Sequence, residues 1–284
     1  MSPVRPGRVS TGSDRLLPFT RAGFAPLIPL TAIFGPALVL FAGSTNDFWA
    51  WEIKPAASAA FLGTGYVFGS ITITTMLVLG RWRSAIVPVI STFPFSVGLL
   101  VATLIHLDRF FTDSIRFWIW FVIYAALPVF LPAAWLLNHR QDPGPQPGEP
   151  RFPAPLALTI AAAGAALTGL GLVMFASPST VEPFWPWPLT PLMAQIVASW
   201  LLFWGAAALC LLPERRLAAY RPFLPTAVVF PVILLVVSFA YADDFSAPWA
   251  WRAVLVGVAL AELGLVAYVE RRMARGRSSS AALS

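Results

Sequence analysis

Charge is scarce in this chain: Asp, Glu, Lys and Arg make up 11% of its 284 residues. Soluble domains carry roughly 25%. An ordinary soluble enzyme, a disordered chain and a nucleic-acid binder with a solvated basic face are therefore excluded. Cysteine is nearly absent, and Cys210 stands alone inside an apolar run, so no intrachain disulfide can form. Lysine occurs once, at Lys54, and histidine twice, at His106 and His139. Two histidines do not supply a histidine-rich metal or haem centre. No P-loop, no H-E-x-x-H and no G-x-S-x-G elbow is present. The expectation is no cofactor and no metal.

What fills the chain instead is apolar: 58% of residues are hydrophobic and 14% aromatic. A helix needs about 20 apolar residues to cross roughly 30 Å of hydrocarbon. Eight runs meet that length, near 22–43, 56–80, 84–105, 116–137, 154–176, 190–212, 223–242 and 251–269. A backbone in lipid must hydrogen-bond to itself, so the runs read as helices. The alternation expected of barrel strands is absent. The fold expected is all-α, a polytopic membrane protein with eight transmembrane helices.

Fifteen of the 19 basic residues fall in tails and loops that share a side with the N-terminus. Lys54, Arg109, Arg116 and Arg252 fall on the other. The positive-inside bias then places both termini in the cytoplasm, in an inner or plasma membrane. Residues 1–21 read as a disordered cytoplasmic tail and 271–284 as a basic one. Residues 138–153 contain Pro-Gly-Pro-Gln-Pro-Gly-Glu-Pro, a composition that favours an extended, mobile linker. It separates two membrane units, 22–137 and 154–270.

The two units match. Gly35, Leu38, Val39, Phe41 and Ala42 recur as Gly169, Leu172, Val173, Phe175 and Ala176, at a spacing of 134. Phe48, Trp49, Trp51, Pro55 and Gly69 recur as Phe184, Trp185, Trp187, Pro191 and Gly205, at 136. Pro88, Phe93 and Pro94 recur as Pro225, Phe230 and Pro231, at 137. Shared Trp and Pro positions in register point to duplication of a four-helix unit. A unit with four spans ends on the side where it began, so the copies are parallel repeats, and sites in such proteins often form where the halves meet.

Several residues stand out as candidates for binding. Glu262 is the one carboxylate deep in a span, nine residues before Arg271, or about 13 Å along a helix. That is near the midplane, where a charge by default suggests function. It reads as a proton relay, a cation ligand or a hydrogen-bond acceptor, or else as a structural group bonded to a neighbouring helix. Pro88 and Pro94 interrupt the third span, and Pro225 and Pro231 the seventh. Prolines at matched places in two halves point to a transporter site, or to kinks repacked by neighbours. Ser91, Thr92 and Ser96 add hydroxyls beside the first kink.

Four Trp-x-Trp pairs, Trp49/Trp51, Trp118/Trp120, Trp185/Trp187 and Trp249/Trp251, sit at one end of the spans. They read as an interfacial belt, or as an outer vestibule that stacks a cation, sugar or lipid headgroup. That end also carries Asp47, Glu52, Asp108, Asp113, Glu182, Asp243 and Asp244, so it is locally acidic. His106 beside Asp108 offers a weak metal or proton site. Gly65 and Gly69 form a G-x-x-x-G, which suggests close helix packing.

Three functions follow as expectations. The leading one is a transporter or permease-like protein that binds a small or lipid-like molecule between the repeats. Its site would use Glu262, Ser91, Thr92, Pro94, Pro231, Trp51 and Trp187. The second is a structural or assembly partner of another membrane protein, or of a second copy. The third is a membrane-embedded lipid-modifying enzyme, built near His106, Asp108 and Asp243. The lipid bilayer is the partner common to all three, and nucleic acid to none.

Overall fold

The computed structural model describes residues 13–281, with side chains through residue 274. Apart from three isolated bridges, the described residues are helical or irregular. Among the described residues, eight helices are long and apolar enough to cross a membrane. They are α1 (Pro18–Leu40), α2 (Ala56–Leu79), α3 (Trp82–Ile105), α4 (Ile115–His139), α5 (Ala154–Ala176), α6 (Pro191–Leu209), α7 (Leu217–Ala240) and α8 (Pro248–Ala281). The sequence expectation of a polytopic, all-helical membrane protein stands.

Local chemistry sets the breaks. Pro26 lacks an N–H to continue the helical hydrogen bonding, and α1 is split there into Pro18–Phe24 and Leu27–Leu40, although Ala25 and Pro26 both keep right-handed helical backbone angles. Gly80 ends α2 in the left-handed conformation, at φ 61°, which glycine adopts without strain. The Ser114 and Thr190 hydroxyls accept hydrogen bonds from the first turns of α4 and α6.

Sequential helices pack as pairs: α1 on α2, α3 on α4, α5 on α6, and α7 on α8. The most extensive contacts between the halves are α3 with α6 and α7 with α2. The centre is therefore α2, α3, α6 and α7, and the flanks are α1, α4, α5 and α8. Lipid gives no hydrophobic drive for helix association, so close backbone approach matters. A Cβ on Gly63 would lie 2.6 Å from the Gly35 carbonyl oxygen and 2.9 Å from the Val39 nitrogen. In the second half, a Cβ on Gly205 would lie 2.9 Å from the Gly164 carbonyl oxygen. The G-x-x-x-G of Gly65 and Gly69 does something else. Gly65 makes room for the Trp200 ring, and Gly69 faces open space.

The chain crossings at the helix ends are built alike in both halves. Leu16 and Trp82 donate backbone hydrogen bonds to Gly80 and Asp14, as Phe152 and Leu217 do to Arg215 and Pro150. At the opposite end, Phe111 donates to the Ala50 carbonyl, as Ser246 does to that of Pro186. Trp49, Trp51, Phe110 and Trp120 form an aromatic cluster there, with centroids 4.9–6.4 Å apart. Trp185, Trp187, Phe245 and Trp251 form the corresponding one. Trp51 and Trp187 are each 2% exposed. At their centres these clusters are plugs of packed rings.

At the end that carries the termini, charges are paired. Arg83 bonds Asp14 and lies 3.2 Å from Glu149. Arg216 lies 3.2 Å from Asp142 and 2.6 Å from Glu214, with all three side chains largely buried. These contacts revise two expectations. Asp14, Leu16 and Thr20 are fastened to the bundle, and the first span starts at Pro18 rather than 22. The rest of the expected tail, residues 1–12, lies outside the described residues. The 138–153 linker is likewise held. Asn138 bonds Thr20, Asp142 pairs with Arg216, Glu149 pairs with Arg83, and Phe152 is buried. In addition, α8 continues through the expected basic tail to Ala281.

Burial alone would lower the Arg216 pKa, but Glu214 and Asp142 outweigh it and hold the value raised. A raised folded pKa keeps its stabilisation at every pH below the unfolded value, and loses it only as pH rises through the folded one. Two predictions follow for thermal unfolding in detergent. Arg216→Gln leaves two buried carboxylates uncompensated and should cost about 3–5 kcal/mol, read as a marked fall in Tm at neutral pH. An unchanged Tm would refute the clamp. Gly63→Ala forces α1 off α2 and should lower Tm, whereas Gly69→Ala should not. Equal effects would refute the crossing geometry.

Candidate functional site

Near the termini end, α1 and α4 touch through rings: Phe19 and Phe24 lie 5.2 and 5.5 Å from Phe130. Beyond that contact the two helices separate, and a cleft opens between them. Its main cavity has a volume of about 110 Å³. Leu27, Leu30 and Thr31 of α1 and Ile123, Tyr124 and Leu127 of α4 form its sides. The floor and back come from α2 and α3, and Trp200 and Phe203 of α6 close it from the other half. Leu27, Leu30, Ile73 and Ile123 are only half-buried, so the cleft borders the outer surface of the bundle, where lipid would lie.

The cavity is apolar except for a few hydroxyls. Tyr66 and Tyr124 bring their oxygens to 3.1 Å. One hydroxyl proton makes that bond. The other finds no acceptor among the described residues, so the pair presents a free O–H. Ring packing fixes the pair, Tyr66 against Trp49 at 5.5 Å and Tyr124 against Trp120 at 4.4 Å. Thr72 is 4% exposed, lines the cavity, and its hydroxyl has no partner. The Trp200 indole N–H is buried and unpartnered on the same lining. By contrast, Thr31 and Thr92 donate to the carbonyls of Leu27 and Pro88 four residues back, at 2.8 and 2.7 Å. Buried polar groups are nearly always bonded. Three free donors around one apolar space fit a hydrophobic molecule that carries a hydrogen-bond acceptor. The volume suits a ring or a stretch of chain, since an apolar cavity of about 150 Å³ holds benzene.

A second cavity, of about 50 Å³, continues toward the tryptophan end. It shares Leu30, Tyr66, Ile123 and Tyr124 with the first, and Trp49, Trp120 and Arg116 line it. The Trp49 indole N–H is also buried without a partner.

The residues expected from sequence are not gathered in one place. Thr92 lines the main cavity, together with Pro88 of the same kink. Ser91 is fully buried and spends its hydroxyl on the Val87 carbonyl at 2.9 Å. Pro94 and Pro231 lie within α3 and α7, on the lining of neither cavity. Trp51 sits in its aromatic plug, and Trp187 donates to the Ser58 hydroxyl at 2.9 Å, tying the second half to α2. Glu262 shares the inward stripe of α8 with Leu255 and Val269, and one of its oxygens is buried without a partner. It too is on neither cavity lining.

His106 bonds Gln195 at 3.1 Å, whose amide donates to the Phe175 carbonyl, while Asp108 pairs with Arg109. Among the described residues no group of three His, Cys, Asp or Glu could hold a metal. Tyr66, Thr72 and Tyr124 were missed from sequence. A signal for them existed. The register that pairs Gly69 with Gly205 sets Leu202 against Tyr66 and Ala208 against Thr72, and that pairing Trp120 with Trp251 sets Leu255 against Tyr124.

Removing an unbonded buried hydroxyl removes only its desolvation cost. Thr72→Val should therefore leave the stability of the ligand-free protein unchanged or raised by up to about 1 kcal/mol, read as an unchanged or higher Tm. A clear loss of stability would mean that the hydroxyl has a partner inside the protein. Compared with family models, curated proteins and solved structures, the chain matches none.

Proposed function

We propose that this chain binds a small, lipid-like molecule in the cleft between α1 and α4. The observation that carries the reading is the set of unpaired donors, from the Tyr66–Tyr124 pair, Thr72 and Trp200, around an apolar space at the bundle flank. An apolar occupant enters sideways from lipid, and its acceptor oxygen meets the tyrosine pair. Binding, rather than translocation, is the activity these contacts support. The site is lined mainly by the first half, with α6 as its back wall, and does not include Glu262 or Pro231.

The same proposal includes the architecture around the site. The halves are parallel four-helix repeats with both termini cytoplasmic, in the cell membrane. The matched backbone bonds at both ends and the matched aromatic plugs at the tryptophan end support the duplication. The 15-to-four distribution of basic residues supports the orientation. Within that duplication Tyr66, Thr72, Thr92 and Tyr124 correspond to Leu202, Ala208, Val229 and Leu255, which carry no hydroxyl. The first copy is thus specialised for a polar contact that the second lacks.

The test is mass spectrometry of the protein purified in mild detergent, with its bound lipids extracted and identified. Wild type should retain a lipid-like species at near-stoichiometric amount. Gly69→Leu, which grows into open space in the cavity, should lose it while keeping the wild-type Tm. A wild-type protein with nothing retained, or a Gly69→Leu protein with the same complement, would overturn the reading.

A further inference from the structure

We infer that the occupant of the cleft is an anionic single-chain amphiphile, with its carboxylate or phosphate head on Arg116 and its chain descending past the Tyr66–Tyr124 pair. The inference rests on the proposed binding cleft and assigns the chemistry of its ligand. Arg116 lines the upper cavity, which runs into the lower one through shared walls. It stands in the first turn of α4, where the helix dipole adds positive potential.

The other three basic residues at this end are engaged. Lys54 pairs with Glu52 at 2.7 Å and Arg109 with Asp108 at 3.2 Å. Arg252 packs on the Phe239 ring and donates to the Ser238 carbonyl. Arg116 lies over the Phe111 ring, 5.5 Å from its centroid, and donates to one carbonyl, that of Asn46, at 2.9 Å, but among the described residues no carboxylate lies within ion-pair distance of it. A guanidinium has five N–H donors in a planar fork suited to a carboxylate or phosphate. Asp47 and Asp113 are near in sequence, but both are exposed and screened by solvent.

Length agrees as well. Arg116 and Leu127 are 11 residues apart on α4, about 16 Å at 1.5 Å per residue. Half of a hydrocarbon core is about 15 Å. A single chain with its head at the interface therefore ends in the main cavity, at midplane depth. The tyrosine hydroxyl meets it on the way. At the matched position of the second half, Arg116 is replaced by Ala247, so head site and hydroxyls are missing there together.

The test uses the full-length protein in detergent at mildly alkaline pH, titrated with dibromostearate or with the matching dibrominated alcohol. Bromine quenches nearby indole fluorescence, and Trp49, Trp120 and Trp200 line the cleft. Dibromostearate should quench saturably, reversed by unlabelled stearate, and bind at least tenfold more tightly than the alcohol. Arg116→Gln should abolish that preference, weakening the acid about tenfold, the scale of one charge-assisted contact, and leaving the alcohol unchanged. Arg116→Lys should retain a preference for the acid. Acid and alcohol binding equally, with Arg116→Gln changing neither, would overturn the head assignment and leave the cleft standing. Quenching by neither, or quenching unaffected by Gly69→Leu, would remove the cleft and the inference with it.

Discussion

A helix in hydrocarbon has to satisfy its polar groups from within the protein, because no water is there to do so. The serines and threonines of the spans obey this. Thr31, Thr64, Ser91, Thr92, Thr103 and Ser199 all return their hydroxyls to carbonyls four residues back. Charges are driven to the helix ends, where Arg83 and Arg216 each hold two carboxylates. Because the rule is kept so widely, its exceptions are informative. Thr72, Trp200, Trp49 and the spare tyrosine proton break it along one cleft, and the buried indole N–H groups of Trp51, Trp82, Trp135 and Trp185 break it outside that cleft. Glu262 breaks it elsewhere, on the inward stripe of α8.

The clamps at the termini end and the aromatic plugs at the other play complementary parts. The clamps tie residue 14 to Arg83 and Asp142 to Arg216 across the loops. The plugs fill the space between paired helices with indole rings. Both ends are thereby fixed, and α1 and α4 meet through Phe130 at the termini end. What remains free to open is the stretch between them, where small residues such as Gly69 leave space that no neighbour fills. The cleft is a consequence of well-packed ends and a thinly packed middle.

Much of the fold was legible because membrane helices are specified by composition alone. The eight runs, the cluster of basic residues and the Trp-x-Trp register needed no tertiary information. The tail and the linker were misjudged because Arg, Pro and Gly usually mark solvated chain. Asp14 and Arg83 are 69 residues apart, and Asp142 and Arg216 are 74. No local pattern announces such pairs. Glu262 drew attention because a charge is rare in a span, yet a rare residue type does not locate a cavity. Tyr66 and Tyr124 are 58 residues apart on different helices. They stand out only when the two halves are laid over each other and the polar differences are read.

The account depends most on the cleft between α1 and α4 being an occupied site in the bilayer. Electron cryomicroscopy of the protein in nanodiscs made from native lipid tests that directly. The account predicts elongated density in the cleft, reaching from Arg116 past Tyr66 and Tyr124 to Thr72. A map with α1 packed against α4 along its length, or with lipid density on the outer faces alone, would contradict it.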